Sequence, residues 1–370
     1  MIRSLRRVVI LLIISVGCGG GPGMVPVGVM VPIPCSPSQV VLDGLNYSTP
    51  YYGLTVVGED LFFAWRQNGA PPTRIDRIHR DGTGRTTLYT SESGRFVRWL
   101  QSSSSDLYFL EESGDIVPKA SLYRLPASGG AATKVGTAEW EQARLFAVVG
   151  GYAYLTVLLN QPVGAQFERV NLASGEVTVF AKITGTGVPQ KTQIVGSELF
   201  FAAGQAGAGS TLLPAVYRVS TEGVMASPTS LGTVGGQDCL LPIGGLFVTP
   251  TKMVCGLGGV VTFDHNGVSP AVLIAKDPTH LTTVVAAEGE SLYYAERSGP
   301  RDDVALSRLS SSDSTLSPIA CTRKISYEYV DGLLQDQTRY QVAFSPSEIF
   351  WFEERFDGRN MAISLRRANK

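Results

Sequence analysis

An all-β fold, a seven-bladed β-propeller of four-stranded blades closed by an N-terminal strand, is predicted by two features that repeat in phase and by the composition. The first is a turn feeding an aromatic strand, Val57-Gly58-Glu59-Asp60-Leu61-Phe62-Phe63. Its relatives place Tyr108, Tyr154, Phe200, Phe247, Tyr293 and Phe350 at the position of Phe62. The successive spacings are 46, 46, 46, 47, 46 and 57 residues, in the range of propeller blades. The second is a hairpin signal later in each period: Asp81-Gly82-Thr83-Gly84, Ser128-Gly129-Gly130, Ser174-Gly175, Glu222-Gly223 and Asn266-Gly267, with Ser310-Ser311-Ser312-Asp313 in the sixth. Glycine supplies the positive φ that a tight hairpin needs. Finally, 44% hydrophobic and 17% charged residues with 41 glycines suit short strands joined by turns and exclude a disordered chain.

At the N-terminus Arg3, Arg6 and Arg7 precede an apolar run at 8–16 that Gly17-Cys18-Gly19-Gly20 interrupts. A permanent membrane helix wants about 20 apolar residues, so residues 1–17 are expected to be a cleaved secretion signal. The stretch Ile14-Ser15-Val16-Gly17-Cys18 resembles the bacterial lipoprotein signal, which implies lipidation at Cys18 and a membrane-anchored lipoprotein of the cell envelope. Residues 18–38 carry Pro22, Pro26, Pro32, Pro34 and Pro37, which block helix and central strand alike and suit an extended tether. Loss of the three arginines leaves 28 basic against 32 acidic side chains, a formal charge of −4. A phosphate-binding surface needs the opposite balance, so nucleic acid is excluded as a partner. A monomer is expected.

The propeller is expected to span residues 39–370. Blade one shows its four strands most clearly, at 54–57, 61–65, 75–79 and 86–89, here labelled A to D. The B strands are apolar on consecutive positions, as in Leu107-Tyr108-Phe109-Leu110 and Phe350-Trp351-Phe352, which marks burial on both faces. Radial stacking of equal blades provides that burial. The last period supplies strands at 340–344, 349–352 and 362–366 and lacks a fourth. Residues 39–42 are expected to provide it, antiparallel to 362–366.

The segment Ile75-Asp76-Arg77-Ile78-His79-Arg80-Asp81-Gly82-Thr83-Gly84-Arg85-Thr86-Thr87-Leu88 resembles the C and D strands of receptor-type YWTD propellers. Leu122-Tyr123-Arg124-Leu125-Pro126-Ala127-Ser128-Gly129-Gly130 is similar to blades of bacterial secreted propellers of the TolB-like kind. In place of the YWTD tetrapeptide the B strands carry Phe62-Phe63-Ala64-Trp65 and Tyr293-Tyr294-Ala295-Glu296. The resemblance implies a non-enzymatic recognition scaffold and carries over no functional residue.

No catalytic constellation stands out. His79, His265 and His280 fall in a C strand, a C to D hairpin and the end of a D strand of three different blades, and neither G-x-S-x-G nor H-E-x-x-H occurs. Gly185-Thr186-Gly187-Val188-Pro189-Gln190-Lys191-Thr192 has glutamine before its lysine where a phosphate loop needs glycine; it is expected to be a D to A connection. Asp264-His265-Asn266-Gly267 lacks the alternating and distal carboxylates of a calcium loop and is expected to be a hairpin. No cofactor and no metal are expected. The acidic ends of the B strands, Glu111-Glu112, Glu296-Arg297 and Glu353-Glu354-Arg355, are expected to be solvated.

With Cys18 lipidated, four cysteines remain in a chain whose export permits disulfides. Cys239, on the expected A strand of blade five, would pair with Cys255 after its B strand, and by exclusion Cys35 with Cys321. The spacing is not that of a zinc site.

The leading functional reading is a non-catalytic binding module for an envelope protein, peptide or glycan. The alternatives are a lyase- or glycosidase-type propeller enzyme with its site at the channel mouth, and a structural subunit of an envelope complex. The B to C connections are longer and chemically more diverse than the C to D hairpins, and variable loops on a rigid scaffold are where recognition sits. The candidate contacts there are Arg66, Glu112, Arg297, Arg301, Glu354 and Arg355. Replacing Cys18 by Ser is expected to abolish metabolic labelling with a fatty acid and to move the protein out of the detergent phase; unchanged partitioning would refute lipidation.

Overall fold

A strand that is apolar at every position can be buried only if something packs on each of its faces. The computed structural model provides this by standing seven four-stranded antiparallel sheets in a ring. It describes residues 37–46, 51–66, 72–115, 118–160, 163–186, 188–206, 212–232, 245–255, 260–268, 270–274, 280–298, 304–310, 316–322, 324–325, 327–329, 338–340, 342–356 and 361–370. The signal, Cys18, Cys35 and all but the last two residues of the expected tether lie outside these, as do Cys239, Arg301 and the serine hairpin at 311–313. Cys255 and Cys321 are each disulfide-bonded.

The B strands of the seven blades are Asp60–Arg66, Asp106–Ser113, Tyr152–Asn160, Glu198–Ala206, Lys252–Cys255, Ser291–Ser298 and Glu348–Phe356. Alternate positions along each face opposite neighbours, as the two-residue period of a strand requires. Leu107 and Phe109 pack with Phe62 and Ala64 of blade one, whereas Tyr108 and Leu110 pack with Ala153 and Leu155 of blade three. The same exchange runs around the ring. Tyr154 meets Leu199 and Phe201, Phe200 meets Met253 and Cys255, Val254 meets Leu292 and Tyr294, and Tyr293 meets Ile349 and Trp351. Phe350 and Phe352 then meet Leu61 and Phe63 to complete it, with Phe63 edge-on to Phe352 at 5.7 Å between centroids.

Blade five departs from the expected register. Phe247 lies on its A strand, Leu246–Val248, opposite Val254 of the B strand. The residue equivalent to Phe62 is therefore Val254, and the fifth and sixth spacings become 254 − 200 = 54 and 293 − 254 = 39. Cys255 ends the described B strand instead of following it. An aromatic side chain marks a buried strand without saying which one, and Phe247 fell on the expected period by coincidence. The turn did carry a signal. Thr249-Pro250-Thr251-Lys252 closes as Ser345-Pro346-Ser347-Glu348 does before the B strand of blade seven: Thr249 N–H donates to Lys252 O at 2.8 Å and Ser345 N–H to Glu348 O at 3.0 Å. In both, the first hydroxyl accepts the return N–H, at 3.0 and 3.1 Å. His280 likewise opens the A strand of blade six, His280–Glu288, instead of ending a D strand.

The ring closes as expected. Gln39–Asn46 runs antiparallel to Met361–Asn369, pairing Val40 with Arg366, Leu42 with Leu365 and Asn46 with Ala362, with bulges on either side of Leu42. Val41 and Leu45 enter the core between blades seven and one. Glu348 ties the same junction by accepting from Arg80 of blade one at 3.1 Å and from Arg367 at 3.2 Å. The longest spacing, before blade seven, accommodates Lys324–Ile325, which pairs with Glu353 and Glu354, and a hairpin of Tyr327–Tyr329 with Thr338–Tyr340.

Gly82 touches the closing strand. Its φ is 89°, and a Cβ there would stand 2.2 Å from Val41 O. Gly82→Ala combines a left-handed backbone with a backbone clash, so a loss above about 1 kcal/mol is expected in urea unfolding. Leu365→Ala, in a fully buried position, is expected to cost about 2–5 kcal/mol. A chain beginning at Asn46 should melt well below the full domain, because the last C strand becomes an exposed edge; equal melting would refute strand-exchange closure.

Candidate functional site: the B to C rim and the central channel

Two of the recurring acids at the ends of the B strands are buried instead of solvated. Glu111 and Glu353, each 2% exposed, occupy the sixth position of their strands and face the preceding blade. Each accepts a hydroxyl from that blade's D strand: Tyr89 Oη to Glu111 at 2.6 Å, and Thr322 Oγ1 to Glu353 at 2.6 Å. Trp351 Nε1 donates in turn to Thr322 Oγ1 at 2.8 Å, and Arg366 Nη2 stands 2.9 Å from Glu353. Burial raises the Tyr89 phenol above its ordinary value, and the bond to Glu111 adds to the shift. These acids latch blades together, as Glu168 does in blade three by accepting from Trp140 Nε1 of blade two at 2.6 Å.

The segment that carries the YWTD-like resemblance is also structural. Asp76, 2% exposed, accepts from Arg85 Nε and Thr87 Oγ1, each at 2.8 Å, and Arg85 lies over the rings of Phe63 and Trp65. In the Asp264 hairpin the carboxylate accepts the N–H groups of Asn266 and Val268 at 3.0 Å, so it serves the turn. Among the described residues no group of three or more His, Cys, Asp and Glu side chains is placed to hold a metal.

Of the candidate rim residues, Arg66 ends the B strand of blade one and lies over the Phe96 ring of blade two, 5.3 Å from its centroid. Glu112 turns inward to meet Arg98 Nε at 3.0 Å, with its side chain 13% exposed. Arg297 pairs in register with Leu281 and Val304, Glu354 with Lys324 and Ile363, and Arg355 with Ala362. The rim is uneven in height. In blade four the A strand reaches only to Gln190 opposite Ala202, while B to C pairing continues to Ala206 opposite Leu212. The D strand pairs with Tyr217 and Arg218, and Leu231 and Gly232 after it bond to Val216 at 2.8 and 3.1 Å. Residues 203–206 and 212–215 thus form a two-stranded ribbon without a third strand among the described residues.

The second feature lies at the channel, where the enzyme alternative put its site, but its side chains were not anticipated. The A strands line a central cavity of about 450 Å³ bounded by side chains from blades two to seven, among them Trp99, Arg144, Thr156, Lys191, Phe247 and Phe344. The A strands of blades one to four and of blade six are bulged: the register shifts at Tyr52/Leu54, Arg98/Gln101, Leu145/Ala147, Gln190/Gln193 and Val284/Ala286. A bulge adds a residue and re-aims its side chain. Nine residues before the B-strand marker stand Gly53, Trp99 and Lys191, with φ of 64°, 60° and 52°. Blade one uses glycine there, where a Cβ would meet Leu100 Cβ at 2.8 Å; blades two and four hold bulky side chains in the same left-handed region, at a cost of about 1–3 kcal/mol each.

Two cationic side chains, Arg144 and Lys191, line the cavity. Arg98 and Arg144 share Glu112, whose carboxyl is raised by burial against the pull of both guanidinium groups. Burial pulls the Arg144 guanidinium down to about 10, opposed by Glu112 and reinforced by Arg98. Lys191 lies over the Phe247 ring, 5.7 Å from its centroid. Sequence reasoning missed these side chains; the local signal is their spacing from the B-strand marker, ten residues for Arg98 and Arg144 and nine for Lys191.

No protein-family model matches the chain, and no curated protein matches it in sequence. Solved structures do match in fold. The β-propeller domain of the trilobed protease from Pyrococcus furiosus is 8% identical, with a TM-score of 0.59 over 87% of this chain and 94% of that one. The oligogalacturonate lyase of Vibrio parahaemolyticus is 13% identical, with a TM-score of 0.53 over 88% and 90%. A puromycin-hydrolysing peptidase of Mycobacterium tuberculosis is 13% identical, with a TM-score of 0.54 over 90% of this chain but only 54% of its own. At such identities the likeness establishes the class, a seven-bladed β-propeller, and nothing of the chemistry.

Glu112→Ala is expected to remove the carboxylate that Arg98 and Arg144 share and to cost about 3 kcal/mol of stability. Glu222→Ala, on an exposed hairpin, should leave the unfolding midpoint unchanged.

Proposed function

We propose that the protein is a non-catalytic recognition module, an exported lipoprotein of the cell envelope that presents its B to C rim to a partner. The observation that carries this reading is the two-stranded ribbon of blade four. Its backbone N–H and C=O groups have no third strand among the described residues, and an open strand edge is a template for pairing with another chain. Of the three expected partner classes, a protein or peptide with an extended segment suits that edge best, by strand addition. The likeness of the 75–88 and 122–130 segments to YWTD and TolB-like propellers supports a scaffold role, and the apolar run before Cys18 supports anchoring.

The test is a capture from solubilised envelopes with wild type and Gln205→Pro as baits. Gln205 pairs with Leu213 in the ribbon, and proline there removes a donor without touching the blade core. Capture of a defined partner should fall at least severalfold while the melting temperature stays within a few degrees. Arg297→Glu combined with Arg301→Glu should weaken the same capture, whereas charge reversal at Asp81 and Glu222 on the other face should not. Loss of capture only from the opposite face would invert the assignment. Release of a chemically altered ligand by the purified chain would favour the lyase or glycosidase alternative.

A further inference from the structure

Three polar side-chain atoms around the central cavity are buried without a hydrogen-bond partner: Trp99 Nε1, Arg144 Nη1 and Thr156 Oγ1. Trp99 is 6% exposed and Thr156 2%, and all three residues line the same space. Buried donors in native proteins are satisfied in the great majority of cases, so a convergent set of orphans needs an explanation.

The register brings them to one level of the channel. Arg144 stands directly opposite Thr156 across the A and B strands of blade three, which places their side chains on one face as close neighbours. Trp99 and Lys191 hold the bulge position of blades two and four, one on either side, and Leu145 is its counterpart in blade three, since 108 − 99, 154 − 145 and 200 − 191 are all 9. Each of the three orphans can donate. Arg144 carries the charge of this set: it lines the cavity, and among the described residues it shares the Glu112 carboxylate with Arg98. A guanidinium donor beside two neutral donors suits a carboxylate, whose oxygens accept charge-assisted hydrogen bonds. The remaining wall includes Phe146, Phe247 and Phe344, and about 450 Å³ is the size of a small-molecule pocket.

We propose that the central channel binds a small organic acid, with its carboxylate held by Arg144, Thr156 and Trp99 and its apolar body against the phenylalanines. This site is separate from the rim and does not depend on the partner assigned there. The left-handed backbone at Trp99 fits the same role, because strained positions persist where a side chain must be aimed.

The test is calorimetric titration and thermal shift on the full chain with benzoate and phthalate, and with benzamide and inorganic phosphate for comparison. Benzoate or phthalate should bind and raise the melting temperature, and benzamide, equal in shape to benzoate but uncharged, should not. Arg144→Met should weaken binding by about tenfold or more, because it removes a charged donor. Thr156→Val and Trp99→Phe, which delete one donor each and keep the shape, should weaken it severalfold and keep the proposal testable if Arg144→Met fails to fold. Absence of binding by both carboxylates at millimolar concentration would overturn the site, leaving a water-filled channel. Tight binding of phosphate alone would overturn the assignment to a carboxylate, and binding unchanged in all folded variants would place the ligand elsewhere.

Discussion

A four-stranded sheet with apolar side chains on both faces cannot bury itself, and everything in this molecule answers to that constraint. Seven sheets solve it together, each B strand sending alternate side chains to the blade before and the blade after. The interface between blades five and six shows that the requirement is burial and not aromaticity. There Val254 stands where six other blades place phenylalanine or tyrosine, and it packs with Leu292 and Tyr294 as effectively in kind. Where the B strands leave the apolar zone, Glu111 and Glu353 continue the same outward and inward alternation with a polar bond to the neighbouring blade.

A radial array also has two ends, and an unpaired last strand would undo the solution. The N-terminal strand removes the edge by pairing with the final C strand. Burial of Val41 and Leu45, the acceptor Glu348 between Arg80 and Arg367, and the close approach of Gly82 to Val41 all converge on that junction. Stability of the ring is thereby made to depend on residues separated by more than the length of six blades.

At the centre the demands reverse. The A strands have no further strand to pair with on their inner side, and an open edge is usually blunted by bulges and charge. Both devices are present: bulges in five of the A strands, and Arg98, Arg144 and Lys191 on or beside them. The same arrangement that blunts these edges also places Trp99, Arg144 and Lys191 around one cavity. Function in a propeller can therefore arise at the channel from residues whose local task is to end a sheet.

The sequence by itself determined the all-β class, the seven blades, five of the C to D hairpins and the closing strand, because each is written in local chemistry: strand alternation, glycine at positive φ, and consecutive apolar positions. It misassigned Phe247, since apolar runs of similar strength form A and B strands alike, although the prolyl turn at 249–252 matched the one at 345–348. The solvated reading of Glu111 and Glu353 failed for a related reason, as a charged strand end looks the same whether it meets water or the next blade. Only the tertiary structure decided the channel. Trp99, Arg144 with its opposite Thr156, and Lys191 come from three successive blades, are unremarkable within their own, and acquire a common purpose only when the ring brings their strands side by side around one axis.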